Sequence, residues 1–182
     1  MTRCSDSAGA RIGRGRSGLD SLANADDLNN GLWIYDAADG RLLREELQAS
    51  AGRFVTFAPD GTTFAFGNNG GQFLLFDVRD GVRQHAFASE DSFRRDGVAL
   101  LLTAHAGAVR DAVFTRDQKR IYSIASENEH RAFGQLTEWE VGGGPVRTLS
   151  TRAPLFRLDL SPDEDWLLVS TFGEGVQLWP TR

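Results

Sequence analysis

Apolar and polar residues alternate in short runs along most of the chain, and these runs recur in a fixed order. Three times an alternating apolar run ends at a turn that contains an aspartate, a second run follows, a Gly- or Asn-rich turn comes next in two of the three copies, and a third run closes on an aromatic residue. The first runs with their turns are residues 54–60, 109–117 and 156–163. Alternation with a period of two is typical of β-strands with one buried face. The pattern therefore predicts repeated antiparallel units.

The closing aromatic residues set the length of the repeat. They are Tyr35, Phe76, Trp139 and Trp179, the first of which ends a leading copy at residues 32–36. Successive members of this set are separated by 41, 63 and 40 residues, and the surplus in the middle lies mainly at residues 88–102, with a smaller part at 128–136. A period of about 40 residues is typical of four-stranded propeller blades. The sequence thus predicts an all-β fold, a β-propeller or partial propeller of three four-stranded antiparallel blades plus a leading half-blade.

The repeat frame also places the boundaries. The half-blade covers residues 19–37, and the complete blades cover residues 51–80, 105–142 and 153–180. Residues 38–50 are assigned to the end of an outer strand and the connection to the next blade. Their leucines, Leu42, Leu43 and Leu47, have a spacing that leaves a short helix as the alternative.

Three and a half blades are fewer than the four to eight of an ordinary closed propeller. An open stack would expose apolar faces and strand edges. Three arrangements stay open: a piece of a longer protein, closure with a second copy or another propeller fragment, or a small ring in which the leading strands complete the last blade. The first two are favoured because the last unit has an outer strand at residues 176–179, which leaves the strand of Trp33 without inner partners.

Several short motifs resemble those of the WD-repeat β-propeller family. They are Ala-Pro-Asp-Gly at 58–61, Ser-Pro-Asp at 161–163, the aromatic–acid pairs at 35–36, 76–77 and 139–140, and Ala104-His105 ahead of Val109. The resemblance covers residues 19–182. It implies a propeller that scaffolds multi-protein assemblies, which is an inference by analogy of fold.

One feature of that family is different here. Family units carry an acid about six residues before the closing Trp, and this acid pairs with a His in a buried hydrogen-bond network. The corresponding residues are Gly70, Phe133 and Gly173, and only His105 supplies the histidine. We therefore expect that His105 does not form the network in the usual way, and that the blades depend on apolar packing.

Residues 1–18 differ in composition from the rest of the chain. They contain four Arg and one acid among Gly, Ser and Ala, which cannot form a packed core. A disordered leader is predicted, with a phosphate- or nucleic-acid-binding arm as the alternative. Nucleic acid is disfavoured because the leader contributes +3 to a net charge of −5, so the remainder carries −8.

The location of the protein is predicted only by default. The leader lacks an apolar core of signal-peptide length, and no later segment approaches a membrane span. The lone Cys4 excludes an intramolecular disulfide and fits a reducing compartment. We therefore expect a cytoplasmic protein without a membrane partner.

Residues suited to catalysis or metal binding are sparse. His85, His105 and His130 have no Cys or carboxylate at zinc-ligand spacing, and Glu127, Glu129 and His130 fall in a polar turn. The glycines at 142–144 lack the Lys and Ser/Thr of a phosphate-binding loop. The sequence predicts no catalytic residue, no metal site and no cofactor.

Two groups of residues are candidates for binding. Arg53 and Arg110 lie seven residues before the turn aspartate and Arg157 lies six before it, so the three would line one mouth of the channel. Arginine binds carboxylates through two parallel hydrogen bonds and stacks on aromatic rings. The second group, Phe93, Arg94 and Arg95, lies in the 88–102 insertion and offers an aromatic anchor. Trp33 and Trp166 are assigned to the core.

The sequence favours a non-catalytic protein–protein interaction scaffold that is part of a larger or self-associating propeller. The first alternative is a small-anion-binding or enzymatic propeller that uses the arginine cluster. The second is a truncated remnant without independent function.

Overall fold

The computed structural model describes residues 8–14, 30–47, 50–88, 93–96, 99–126 and 133–182, and these residues form only strands, turns and irregular connections. The predicted all-β class and the antiparallel pairing are confirmed. Within these ranges there is no helix that is long and apolar enough to cross a membrane.

The described strands form four sheets of three or four strands and one hairpin, and in each the strands follow chain order. Sheet I comprises β1 (Ala8–Arg14), β2 (Asn30–Asp36) and β3 (Leu42–Leu47). Sheet II comprises β4 (Gly52–Phe57), β5 (Thr63–Asn68), β6 (Phe73–Asp77) and β7 (Arg83–Phe87). The hairpin comprises β8 (Phe93–Asp96) and β9 (Ala99–Leu102). Sheet III comprises β10 (Ala108–Phe114), β11 (Arg120–Ser126), β12 (Gly134–Glu140) and β13 (Pro145–Thr151), and sheet IV comprises β14 (Leu155–Leu160), β15 (Trp166–Thr171) and β16 (Gly175–Pro180).

The closing aromatic residues occupy one equivalent position in sheets II, III and IV. Each lies on the third strand of its sheet and pairs with an apolar residue near the start of the second strand. The pairs are Phe76 with Phe64, Trp139 with Ile121, and Trp179 with Leu167. The repeat predicted from the sequence is therefore a structural repeat. The same pairing shows that β16 is the third strand of its unit, so the assignment of residues 176–179 to an outer strand is wrong. Sheet IV therefore has three strands and not the predicted four.

Sheet I corresponds to the second, third and fourth strands of a unit. Asp36 at the end of β2 accepts the N–H of the residue two positions later, as Asp77 does at the end of β6. The turns that follow both contain a glycine with positive φ, Gly40 at 73° and Gly81 at 67°, which glycine adopts without a steric penalty. The leading unit is therefore a three-stranded sheet and not a half-blade, and residues 42–47 form a strand and not a helix.

Strand β1 differs from the expectation of a disordered leader at residues 1–18. Residues 8–14 pair with β2 along their whole length, from Ala8 opposite Asp36 to Arg14 opposite Asn30. Composition limits only side-chain burial, whereas pairing with β2 satisfies backbone N–H and C=O groups whatever the side chains are. The strand of Trp33 thus has partners on both sides, β1 and β3. Residues 1–7 and 15–18 lie outside the described part of the chain.

The core lies between successive sheets. Leu32 and Ile34 of sheet I pack with Phe64 and Phe76 of sheet II. Between sheets II and III, the rings of Phe73 and Phe87 stack at 4.6 Å, and Phe87 lies 5.2 Å from the indole of Trp139. The third cluster joins sheets III and IV and contains Tyr122, Ile124, Leu136, Leu155, Leu158, Leu167 and Val169. Each interior sheet therefore buries one face against the preceding sheet and the other against the following sheet.

The 88–102 insertion, which separates sheets II and III, contains the hairpin. Immediately after it, the carbonyl of Gly71 accepts the N–H of Ala104 at 2.9 Å and that of His105 at 3.2 Å. Gly71 has a φ of 81°, and a Cβ there would lie 2.1 Å from the carbonyl oxygen of His105. Glycine is therefore required where the chain rejoins sheet II.

A buried hydrogen-bond network lies between that junction and sheet III. The Nε2 of His105 and the indole N–H of Trp139 both lie 2.7 Å from the hydroxyl of Ser123. The Nδ1 of His105 lies 2.7 Å from Oε1 of Gln135, which is an acceptor, so Nδ1 carries the proton. His105 therefore forms a buried network, but not in the usual way, because its Nδ1 partner is the amide of Gln135 and not an acid. Gln135 lies four residues before Trp139 and takes the place of the acid, whose expected position is occupied by Phe133.

Burial lowers the pKa of His105 from its ordinary value of 6.5 to about 4, although the hydrogen bond to Gln135 opposes this shift. The imidazole is therefore neutral in the folded protein at neutral pH. Ser123 completes the arrangement, because its O–H donates to Nε2 while its oxygen accepts from Trp139.

We expect the stability of the protein to fall as the pH is lowered from 6.5 to 4. In this window the unfolded chain protonates His105 and the folded chain does not, so the free energy of unfolding decreases by about 3 kcal/mol, which follows from the pKa difference. Urea unfolding at several pH values would measure this decrease. The decrease should be smaller in His105→Gln, by about the contribution of His105, and unchanged in His85→Gln. An unchanged slope in His105→Gln would contradict the assignment.

Candidate functional site

The first strands of sheets II, III and IV share a one-residue β-bulge. The extra residue is Arg53 in β4, Arg110 in β10 and Phe156 in β14. All three lie seven residues before the turn aspartate, so the counterpart of the two arginines is Phe156 and not Arg157. Because successive side chains of a strand point to opposite faces, this shift of one residue separates Arg157 from the other two.

Arg110 and Arg157 each contact a residue of the neighbouring sheet across the junction of β10 and β14. The guanidinium carbon of Arg110 lies 5.9 Å from the centroid of the Phe156 ring. The Nη1 of Arg157 lies 3.8 Å from Oδ2 of Asp111, and the Arg157 side chain is 76% exposed. Both arginines therefore bridge sheets III and IV. Arg53 instead donates from Nε to Asn69 within its own sheet.

Asp111 is the anchor of this junction. Its carboxylate accepts the N–H of Leu158 at 3.1 Å from across the sheet boundary and the N–H of Ala112 at 3.0 Å. Burial raises the pKa of Asp111, and the two backbone hydrogen bonds and the charge of Arg157 oppose that shift. The geometry indicates a structural bridge between strands.

The second predicted group lies in the hairpin. Phe93, Arg94 and Arg95 are in β8, which pairs with β9 from Phe93 opposite Leu102 to Asp96 opposite Ala99. Their side chains lie outside the described part of the structure, so this group stays a prediction. Glu127, Glu129 and His130 also lie outside it, and the described residues contain no group of three or more His, Cys, Asp or Glu side chains that could hold a metal ion.

The largest feature that the sequence reasoning missed is the outer face of sheet IV. Leu168 and Leu178 pair across β15 and β16, and Trp166 and Val176 are on the same face by the period of two. All four are exposed, Val176 to 63% and Leu178 to 64%. The assignment of Trp166 to the core is therefore wrong. We call Trp166, Leu168, Val176 and Leu178 the terminal face.

The terminal face corresponds to a surface that is buried in sheet III. The two sheets can be aligned on the pairs Trp139–Ile121 and Trp179–Leu167. In this alignment Leu168 is equivalent to Tyr122, and Val176 is equivalent to Leu136. Tyr122 and Leu136 are buried because sheet IV covers them. The terminal face therefore has the character of an interior contact. Beside it, the exposed rings of Phe156 and Phe172 lie 6.1 Å apart.

A sequence signal for this face exists. In β15 and β16, apolar residues occupy both alternating sets of positions, as in Trp166-Leu-Leu-Val and Val176-Gln-Leu-Trp. A strand with two apolar faces is expected between two layers, and among the described residues only sheet III packs on sheet IV.

Comparisons with known proteins show a shared fold. No family model and no curated protein matches the sequence. Among solved structures, Kuenenia stuttgartiensis hydrazine synthase is similar, with a TM-score of 0.66 and 13% identity over 85% of this chain and 47% of that chain. This chain thus spans about half the length of that neighbour. Because 947 solved chains match, the architecture is common, and the likeness indicates fold without indicating function.

We expect Asp111→Ala to destabilise the protein by about 1–3 kcal/mol, because it leaves the buried N–H of Leu158 without its acceptor. Arg157→Ala should cost less than about 1 kcal/mol, since the Arg157 side chain is exposed to solvent and its ion pair is 3.8 Å long. Urea unfolding would measure both. Asp159→Ala is the matched control, because the exposed Asp159 accepts from its neighbour Leu160 within the same strand. Equal losses in Asp111→Ala and Arg157→Ala would contradict the structural role of Asp111.

Proposed function

We propose that this chain is a non-catalytic protein-interaction module, built as a segment of a WD-repeat-like β-propeller. Three features support the propeller arrangement. The sheets are antiparallel and pack face to face, the first strands β4, β10 and β14 contact one another in turn, and the network of His105, Ser123 and Trp139 resembles that of the family. Loops and faces of such a rigid scaffold are used for binding.

The terminal face is the observation that carries the interaction function. A contiguous exposed apolar face on a soluble protein is typical of a binding surface. Here it lies on a sheet whose other face is buried in the core, so its position is held by Leu167 and Val169. A partner that covers it would bury apolar area without any rearrangement of the sheet.

The small-anion alternative has less support. A site for an anionic ligand needs convergent cations, but Arg53 donates to Asn69 and Arg157 pairs with Asp111. Arg110 is the extra residue of the bulge in β10 and lies over Phe156. Arg157 is not a bulge residue, because the extra residue of β14 is Phe156. The three arginines are thus engaged in three different contacts, and within the described residues those contacts have no shared partner.

We expect a photo-crosslinking side chain at Leu178 to form a discrete protein adduct in cells that produce the chain. The same side chain at Val146, which is 50% exposed on β13, is the matched control and should form no discrete adduct. Adducts would be detected by their mass. The adduct at position 178 should disappear when Leu168→Asp is added, because a charge on the terminal face disfavours apolar contact.

The proposed function fails if positions 178 and 146 react alike, or if the adduct survives Leu168→Asp. Thermal unfolding of the purified chain addresses the remnant alternative. A cooperative transition is expected for a folded module, whereas a remnant that does not fold alone would show none.

A further inference from the structure

The two end sheets of the row, sheet I and sheet IV, present opposite kinds of face. Sheet IV presents the face that in sheets I to III packs on the next sheet. Sheet I presents the opposite kind of face. Sheet IV also lacks a fourth strand, and sheet I lacks a first strand, among the residues that the structure describes.

The bare face of sheet I is identified by its equivalent residues. Tyr35 is the counterpart of Phe76 and Trp139, each of which packs against the preceding sheet. Trp33 is on the same face of β2, and Leu42 pairs with Tyr35 from β3. Tyr35 and Trp33 are half-buried and Leu42 is exposed. We call Trp33, Tyr35 and Leu42 the leading face.

Contacts within the chain show which faces fit together. In all three clusters, the following face of one sheet packs on the preceding face of the next. The terminal face is therefore suited to a leading face, and pairing of two terminal faces would have no parallel within the molecule. A contact between unlike surfaces is heterologous, and it closes into a ring when the rotation between copies allows it.

We propose that the terminal face binds the leading face of a second copy of this chain, and that two copies joined head to tail close a ring. This inference rests on the proposed function, whose partner it identifies. Each copy contributes four sheets, and the resulting eight lie within the range of closed propellers. The similar solved chain is about twice as long as the part this chain matches, so a second copy would supply an equivalent length.

The test uses one variant for each face, both of the full chain. The terminal variant is Leu168→Asp with Leu178→Asp, and the leading variant is Trp33→Asp with Leu42→Asp. Val146→Asp is the control, at an exposed apolar residue of β13 away from both faces. Mass in solution would be measured by light scattering after size-exclusion chromatography, and thermal unfolding would verify that each variant folds.

We expect the wild type and Val146→Asp to have the mass of two chains, and each face variant alone to have the mass of one. An equimolar mixture of the two face variants should recover two-chain particles, because one intact terminal face meets one intact leading face. The dissociation constant should be at least tenfold weaker than that of the wild type, since only one of two contacts remains. Leu42→Lys alone replaces the leading variant should the double substitution not fold.

Three results would overturn the proposal. A leading variant that remains a dimer indicates pairing between two terminal faces. A mixture that stays monomeric excludes head-to-tail complementation. A wild type that stays monomeric at its highest soluble concentration excludes the second copy as the partner. In that case crosslinking at Leu178 shows whether the proposed interaction function fails as well. An adduct with a different protein leaves the interaction function intact, whereas no adduct overturns the function as well.

Discussion

The structure depends on apolar contact between the faces of successive sheets. A single sheet of three or four strands is one layer thick and cannot enclose a core of its own. Sheets II and III solve this problem by burying both faces, so that Phe64 and Phe76 pack on one side of sheet II while Phe73 and Leu75 pack on the other. The stability of each sheet is therefore shared with its neighbours, which is typical of repeat proteins. The same dependence makes the two end faces the places where a binding surface is expected.

Polar contacts add to this packing unevenly. The hydroxyl of Ser123 joins His105 and Trp139 in sheet III, but the equivalent positions are Phe66 in sheet II and Val169 in sheet IV. Both are fully buried and apolar. A buried network specifies a unique arrangement only when all of its members are satisfied, and in sheet III Gln135 satisfies the last of them. One sheet thus has a polar network in the place where its neighbours have a hydrocarbon core.

Much of the fold was predictable because its signals are local. The period of two and the aspartate turns placed the second and third strands of the three main units, since each signal spans only a few residues. Three features were not predictable in this way. The pairing of β1 depends on a partner strand that is sixteen or more residues away. The role of Gln135 depends on the approach of His105 from another segment of the chain. The bulge in β14 shifts the register by one residue, which the period of two does not reveal. Of the candidate arginines, the sequence placed all three on or beside the first strands, but the bulge decided that Arg157 faces a different neighbour.

The hydrogen bonds from residues 104 and 105 to the carbonyl of Gly71 fix the chain where it rejoins sheet II after the hairpin. Phe87 fixes the chain before the excursion, and the Gly71 contact fixes it afterwards, so the distance that the excursion must span is constant. Closure entropy rises only slowly with the number of residues in such a loop. Added sequence between β8 and β9 is therefore tolerated thermodynamically, and this connection is a suitable point at which to graft a reporter domain onto the scaffold.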